Sequence, residues 1–281
     1  GIDLGGTKIE ACLFDAALQP LERRRIDTPQ KSYEALLDAL ADQYAWLCAT
    51  AGRECLPLGI GVPGFVEQTT GYAQTSNLPA DNRPLQRDLS LRLGIPVAFE
   101  NDCRCFALSE ANGGAGAGYR TVVGLILGTG CGGGITRDGL LITGMGRLPV
   151  EIGHIGIPAG KIKGVNLPIE LCKCGRYGCY ETLVSGPGMS RLALRLHGRS
   201  LEPRRIVESV SDDAAMRQVL DVWTSLVCEA LRTLQLTIDP DCIVLGGGLS
   251  RIPDLAERLR DGSAAHLMDG VPPPHIAVAR F

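Results

Sequence analysis

Several features that would place this 281-residue chain in a familiar class are missing from its sequence. The net charge is only -3, and no segment concentrates Lys and Arg as a nucleic-acid interface would. No apolar run is long enough to cross a bilayer, and no signal-peptide pattern is found. We therefore expect no nucleic-acid partner and no membrane partner.

Cysteine is abundant, but its distribution argues against a disulfide framework. The chain has 11 cysteines, an odd number, and several lie within apolar stretches, including Cys12, Cys48, Cys228 and Cys242. Such cysteines are typical of small buried side chains in a reducing compartment. We therefore expect a cytoplasmic protein.

Apolar periodicity predicts alternating strands and helices. Strands are predicted at residues 58–62, 97–100, 121–127 and 242–245, and helices at 32–51, 85–93, 103–111 and 212–237. This alternation indicates the α/β class. Residues 149–186 show no clear period, and we expect them to be irregular.

The chain also contains an internal repeat. A strand, a glycine turn and a returning strand open at residue 3 and again near residue 127, which suggests two related halves. A glycine-rich break at residues 113–118 lies between them. We place the lobe boundary there and predict an N-terminal lobe over residues 1–115 and a C-terminal lobe over 116–281.

Both glycine turns are candidates for binding phosphate. In DLGGTK (residues 3–8) and GTGCGGG (128–134), backbone N–H groups can converge without an intervening Cβ. The first turn adds a carboxylate for Mg²⁺, a hydroxyl and a cation. Neither turn is a Walker A or dinucleotide-binding motif, and either one alone could be only a tight hairpin. Two such turns opening two halves favour a nucleotide site.

A third glycine segment, at residues 246–248, follows a buried strand where the backbone could approach an adenosine. The predicted nucleotide-binding residues are Gly1, Ile2, Asp3, Leu4, Gly5, Gly6, Thr7, Lys8, Gly128, Thr129, Gly130, Cys131, Gly132, Gly133, Gly134, Ile135, Gly246, Gly247 and Gly248.

Three cysteines in the irregular region are spaced as metal ligands. Cys172, Cys174 and Cys179 are separated by glycines that permit tight turns, and His154 is the only histidine of that region. Three thiolates and one imidazole suit a structural Zn²⁺. The alternative is free or disulfide-forming cysteines. A zinc-binding loop at 149–186 would fix the neighbouring Glu151 and Glu181.

Asp102 lies where a predicted strand ends and a helix begins. Its position alone is that of a helix-capping carboxylate. The alternative is a general base that accepts a hydroxyl proton during attack on a γ-phosphate. Ligands gather at strand ends in open α/β sheets, which favours the base.

At these residues the chain resembles the ROK family (repressors, open reading frames and kinases) of the actin-like ATPase superfamily. The matching segments are DLGGTK at 3–8, END at 100–102, GTGCGGG at 128–134, EIGH at 151–154, CKCGRYGCYE at 172–181 and DPDCIVLGGGLS at 239–250. The resemblance implies two RNase H-like domains around a central cleft that holds ATP and a hexose. It makes Asp102 the base for the sugar 6-hydroxyl. It implies sugar contacts from Gly64, Asn77, Asn101, Asp102, Glu151, His154 and Glu181, and zinc ligation by His154, Cys172, Cys174 and Cys179.

Within the family, residues 124–130 and 167–172 look most like bacterial N-acetyl-D-glucosamine kinases, with fructokinases and glucokinases as alternatives. Family resemblance also suggests a homodimer. Cys103 and Arg104 depart from the usual small or neutral residues, so we expect an extra charge near Asp102. The ends look clipped relative to the family.

Two other functional classes are less consistent with the sequence. A sugar-sensing regulator would need a helix-turn-helix before the first glycine turn, and the sequence offers no such segment. A non-catalytic nucleotide-gated clamp would require neither an acidic residue beside a sugar pocket nor a zinc-fixed loop.

Overall fold

The computed structural model describes residues 1–67, 69–75, 77–145, 148, 150–264 and 270–281. The chain divides into two compact units, Gly1–Cys105 and Phe106–Phe281. This division falls inside the helix at Asp102–Ala111. Our predicted boundary was placed in the glycine-rich break at 113–118, which follows that helix.

The first unit is built around a mixed five-stranded sheet. Its elements are β1 (Ile2–Leu4), β2 (Lys8–Phe14), β3 (Pro20–Asp27), α1 (Tyr33–Ala51), β4 (Leu58–Val62), β5 (Phe65–Val66), β6 (Ala73–Gln74), α2 (Leu85–Leu93) and β7 (Val97–Asn101), and α3 (Asp102–Ala111) begins at its end. The strand order is β3-β2-β1-β4-β7. Strands β1, β4 and β7 are parallel, so their carboxyl ends share one sheet edge.

Helix α1 shows how the sequence sets an element of this unit. The Ser32 hydroxyl accepts a hydrogen bond from the Ala35 N–H at 3.1 Å, which caps the first turn. Gly52 ends the helix in the left-handed conformation with φ 62°. Between these caps, a stripe that includes Leu36, Leu40 and Leu47 is buried in the core of the unit. The predicted helix at 32–51 is confirmed.

The second unit repeats this architecture. Its elements after α3 are β8 (Thr121–Leu127), β9 (Cys131–Arg137), β10 (Leu140–Leu141), α4 (Ala159–Val165), α5 (Glu181–Val184), α6 (Gly186–His197), α7 (Pro203–Glu208), α8 (Ala214–Ile238), β11 (Cys242–Gly246), α9 (Leu255–Ala264) and β12 (His275–Val278). The strand order β10-β9-β8-β11-β12 matches that of the first unit position by position. The α/β class with a repeated half is therefore confirmed.

The core of the second unit is packed against its longest helix. The Asp213 side chain caps α8 by accepting from the N–H groups of Ala215 and Met216. Trp223 is fully buried and its indole N–H donates to the Val184 carbonyl at 2.9 Å.

Among the described helices, none is long and apolar enough to cross a membrane.

Two expectations about this unit need correction. The segment at 149–186 is not wholly irregular: it contains a 3-10 turn at Ile152–His154 as well as α4 and α5, each too short to leave a periodic signal. Pro149, its first predicted residue, lies outside the described residues. The second glycine turn is also shorter than expected, because β9 already begins at Cys131.

Candidate functional site

Two carboxylates gather at the carboxyl edge of the sheet in the first unit. Asp3 of β1 is in register with Gly61 of β4, which is in register with Glu100 of β7, and Asp102 follows that strand. A Cβ at residue 61 would lie 4.0 Å from Asp3 Oδ1 and 3.9 Å from Asp102 Cα. Strand order and a glycine between them thus bring Asp3 and Asp102 to one place, as expected for a ligand-binding edge.

Asp102 is half-buried as the first residue of α3. Burial raises the pKa of its carboxyl above the ordinary value, and hydrogen bonds from Cys103 and Asn101 oppose this rise. One of them is the Cys103 N–H, which donates to Asp102 Oδ1 at 2.8 Å. The carboxyl therefore has both a local structural partner and the raised pKa that suits a proton acceptor.

Asp3 is the second carboxyl of this edge, and its surroundings also disfavour ionisation. Asp3 keeps an exposed surface, but desolvation raises the pKa of its carboxyl; the charges of Asp102 and Glu10 add to the rise, and the charge of Arg25 opposes it. Two neighbouring carboxylates that disfavour each other's charge would gain from a bound divalent cation.

The Asn101 side chain is held at both ends. Its amide N–H donates to the Gly64 carbonyl at 2.8 Å, and its Oδ1 accepts from the Arg104 N–H at 3.2 Å. Arg104 is 2 % exposed, and its Nε lies 2.9 Å from Glu100 Oε1. The extra charge expected near Asp102 is therefore buried in an ion pair with Glu100, a partner that the sequence analysis missed although it lies four residues away.

The first glycine turn connects β1 to β2. The Gly5 N–H donates to the Lys8 carbonyl at 2.9 Å, and the Thr28 hydroxyl donates to the Gly5 carbonyl at 2.7 Å. A Cβ at Gly6 would lie 3.2 Å from the Cβ of Asn77, so these two predicted site residues are neighbours. Lys8 forms an exposed ion pair with Asp27.

In the second unit, two glycine segments meet at one sheet edge. β8 and β11 are parallel, with Ile126 in register with Gly246, so the turn at 128–130 and the glycines at 246–248 follow adjacent strand ends. The turn is closed by a Gly128 N–H to Gly130 carbonyl hydrogen bond of 3.0 Å. Thr129, Gly247 and Gly248 are exposed.

Four side chains of the second unit form a candidate metal centre. The ligand atoms of His154, Cys172, Cys174 and Cys179 all lie within 4.8 Å of one another. His154 Nδ1 is 3.5 Å from Cys172 Sγ, and Cys174 Sγ is 3.6 Å from Cys179 Sγ. Tetrahedral Zn²⁺ with bonds of about 2.3 Å to sulfur and about 2.0 Å to nitrogen separates its ligand atoms by about 3.5–3.8 Å. The donor set and its spacing fit such an ion.

Glu151 lies next to this centre. Its Oε2 is 3.5 Å from His154 Nε2, whereas the other ring nitrogen, Nδ1, lies 3.5 Å from Cys172 Sγ. A carboxylate in this position orients a metal-binding imidazole. The i, i+3 spacing of the two residues was the signal in the sequence that could have indicated this contact.

Glu181 was expected to lie beside the cysteine cluster, and it also contacts the second glycine turn. Its Oε2 accepts a hydrogen bond from the Cys131 N–H at 3.0 Å. Both residues were predicted as site residues, but nothing in the sequence indicates that they are in contact.

Comparisons with known proteins agree with this architecture. The chain is 40% identical to the N-acetylgalactosamine kinase of Shewanella sp. (strain ANA-3), over 100% of this chain and 91% of that protein. It is 37% identical to an N-acetyl-D-glucosamine kinase of Shigella flexneri, over 100% of this chain and 93% of that protein. The crystal structure of a ROK hexokinase from Thermus thermophilus superposes with a TM-score of 0.89 at 30% identity, over 100% of this chain and 92% of that one. The ROK family profile matches residues 1–281, and the chain belongs to that family.

Proposed function

We propose that this protein is an ATP-dependent kinase that phosphorylates the 6-hydroxyl of N-acetyl-D-glucosamine. The observation that carries the proposal is the half-buried Asp102, beside Asp3 at the carboxyl end of three parallel strands. The named relatives, which are hexosamine kinases, supply the acceptor class.

Asp102 acts as the general base in this proposal. Its carboxylate accepts the proton of the 6-hydroxyl as the sugar oxygen attacks the γ-phosphate, and the proton remains on Asp102 until product leaves. Phosphoryl transfer otherwise needs in-line positioning and charge neutralisation. Asp3 supplies a carboxylate for the Mg²⁺ that accompanies ATP, and the three predicted glycine segments supply backbone N–H groups for the nucleotide.

Residues of each unit are assigned to the sugar hydroxyls. In the first unit these are Gly64, Asn77 and Asn101, of which Asn101 is fixed by hydrogen bonds to Gly64 and Arg104. In the second unit they are Glu151, His154 and Glu181. His154 has Nδ1 towards Cys172 and Nε2 towards Glu151, so its sugar contact would be shared with that carboxylate.

Zn²⁺ is the metal that we assign to the four-residue centre. With four protein ligands it would have no open position, and it would fix the segment that carries Glu151 and Glu181 rather than act as a Lewis acid.

A second candidate acceptor is N-acetyl-D-galactosamine. The relative at 40% identity is named for that sugar, whereas the relative at 37% is named for N-acetyl-D-glucosamine. The two acceptors share the acetamido group and the 6-hydroxyl and differ only in configuration at C4.

The test is an ATP-consumption assay with both N-acetylhexosamines, glucose, mannose and fructose. The proposal predicts the highest kcat/KM for N-acetyl-D-glucosamine. A higher value for N-acetyl-D-galactosamine would favour the second candidate, and a preference for glucose or fructose would contradict a hexosamine kinase.

A further inference from the structure

The metal-bearing segment and the second glycine turn are joined by a side chain. Glu181 lies two residues after the metal ligand Cys179 and is half-buried at the start of α5. Its Oε2 accepts from the N–H of Cys131, the first residue after the turn, at 3.0 Å. An amide adjoining a predicted phosphate turn is thus held by a carboxylate from another segment.

Backbone hydrogen bonds also connect the turn and the following strand β9 to neighbouring segments. The Gly186 N–H donates to the Gly128 carbonyl at 2.7 Å. Gly133 and Val150 exchange two hydrogen bonds of 3.0 and 2.7 Å. These hydrogen bonds keep the segment that carries Glu181 next to the turn, so its carboxylate can transmit a local change to the Cys131 amide.

The Glu181 carboxylate has capacity for a second partner. A carboxylate offers two oxygens and about four acceptor positions. Within the described part of the chain, the Cys131 N–H is the hydrogen-bond donor recorded for Glu181, and it uses Oε2. Oε1 is left to accept from a ligand hydroxyl.

We propose that Glu181 couples acceptor binding to nucleotide binding, a positioning role that rests on the proposed function. A sugar hydroxyl bound at Oε1 fixes the carboxylate, which in turn holds the Cys131 amide and orders the turn for the nucleotide. By linkage, nucleotide then tightens sugar binding by the same factor.

The experiment measures the dissociation constant of a non-hydrolysable ATP analogue by calorimetry, without sugar and with saturating N-acetyl-D-glucosamine. The coupling ratio is the dissociation constant of the analogue without sugar divided by that with saturating sugar. The saturating sugar concentration is set for each variant from its own sugar titration, so that differences in sugar affinity do not affect the ratio. For the metal-loaded wild type we expect the sugar to tighten nucleotide binding by roughly 5–150-fold, the usual range of such coupling. In Glu181→Ala the ratio should fall to about 1, the value for no coupling.

Two further variants separate coupling from structure. Glu181→Gln keeps an oxygen for the Cys131 amide and should retain most of the coupling. Glu170→Ala removes a carboxylate of the same segment that pairs with Arg195 and should leave the ratio unchanged. Metal content and melting temperature are measured for every variant.

Gly130→Ala tests the same contact from the side of the turn. A Cβ at residue 130 would meet the Glu181 carboxylate, with Oε2 at 2.9 Å, and, apart from its chain neighbours, no other described residue within 4 Å. The methyl group should displace the carboxylate from the Cys131 amide while leaving Glu181 in the chain to contact sugar. We expect sugar affinity to be retained and the coupling to be lost.

The outcomes distinguish this inference from the proposed function. If the wild type binds neither amino sugar, the proposed function fails. If it binds sugar and nucleotide without coupling, or if Glu181→Ala and Gly130→Ala keep the wild-type ratio, the proposed function stands and the coupling role of Glu181 is wrong.

Discussion

Asp102 illustrates how a carboxyl that we propose as a general base acts against folding stability. Burial raises its pKa in the folded chain, so folding disfavours the ionised form. Its stabilising contribution is present below the pKa of the unfolded chain and is lost as pH rises through the raised folded-state pKa. At neutral pH, where a general base must be ionised, the carboxylate therefore lowers the stability of the fold.

The first prediction concerns Asp102→Asn. An amide cannot accept the hydroxyl proton, so kcat should fall by about 10²–10⁴-fold, the usual contribution of a general base. The Asn oxygen can still accept from the Cys103 N–H, and the unfavourable buried charge is removed. We therefore expect a melting temperature equal to or higher than that of the wild type, measured by calorimetry. Wild-type turnover in this variant would exclude Asp102 as the base.

The second prediction concerns the loss of activity at low pH. Because the base must be ionised and its pKa is raised, kcat/KM should fall with decreasing pH around a midpoint above 3.8, the ordinary aspartate value. The raised pKa of Asp3 spreads this fall in kcat/KM over a wider pH range, since the two carboxyls interact. The measurement is a pH profile of kcat/KM within the range where the protein stays folded. A profile that stays flat down to pH 3.8 would contradict this assignment.

At the scale of elements, Gly64 follows β4 and holds the Asn101 side chain in place. Gly64 has φ 112°, and a Cβ there would overlap the Gln74 carbonyl oxygen. Its own carbonyl accepts from the Asn101 side chain. The backbone path that presents this carbonyl is thus available only to glycine.

The third prediction compares two alanine substitutions near this strand. Gly64→Ala should destabilise the protein by at least about 1–3 kcal/mol, the cost of such a strained backbone. Gly59→Ala is the matched control, because its Cβ would meet nothing within 4 Å and its φ lies outside the left-handed region. Chemical denaturation of both variants measures the difference. Equal stability of the two variants would show that the Gly64 backbone tolerates a side chain.

The fourth prediction concerns the metal centre. Cys179→Ser should lose the bound metal and lower the melting temperature, since a site occupied at a hundredfold excess over Kd stabilises the fold by about 2.7 kcal/mol. Cys55→Ser, at an exposed cysteine outside the cluster, should change neither property. Elemental analysis and calorimetry give the two readouts. A full complement of zinc in Cys179→Ser would remove Cys179 from the ligand set.

Elements with local signals were predictable from the sequence, and the others were not. α1 has both caps and an apolar stripe within its own residues, and β8 is a continuous apolar run. β3 was missed because it is an edge strand with exposed arginines instead of an alternating pattern. The exposed Arg23 and Arg25 pair with Glu10 on the neighbouring strand. These contacts exist only after the sheet forms.

The same distinction applies to the candidate site. The cysteine spacing and His154 predicted a cluster whose ligand atoms do lie together. The Glu181–Cys131 contact was not predicted, because it depends on how two separate segments pack. The Glu151–His154 contact was also not predicted, because its i, i+3 spacing does not by itself fix the direction of the two side chains. Local chemistry was therefore readable from the sequence, whereas the links between its parts required the structure.

At the scale of the whole molecule, the residues of the proposed function lie in both of the repeated halves. Each unit has a sheet of the same order with a glycine turn after its first strand. The copies have diverged at the corresponding edges: the first carries Asp3 and Asp102, and the second carries a turn contacted by Glu181. In the proposed function, one architecture thus supplies a proton acceptor in the first unit and, in the second, a turn beside the proposed metal centre.

The most direct test of the central claim is the fifth prediction, on the acceptor and the product. The purified, metal-loaded protein is incubated with MgATP and N-acetyl-D-glucosamine, and phosphorus NMR locates the transferred group while kcat/KM is compared with that for glucose. We expect the 6-phosphate as product and a kcat/KM at least about tenfold above that for glucose, since a site that hydrogen-bonds the acetamido group disfavours an acceptor lacking it. The absence of ATP-dependent phosphorylation of either N-acetylhexosamine by the folded, metal-loaded protein would contradict the account.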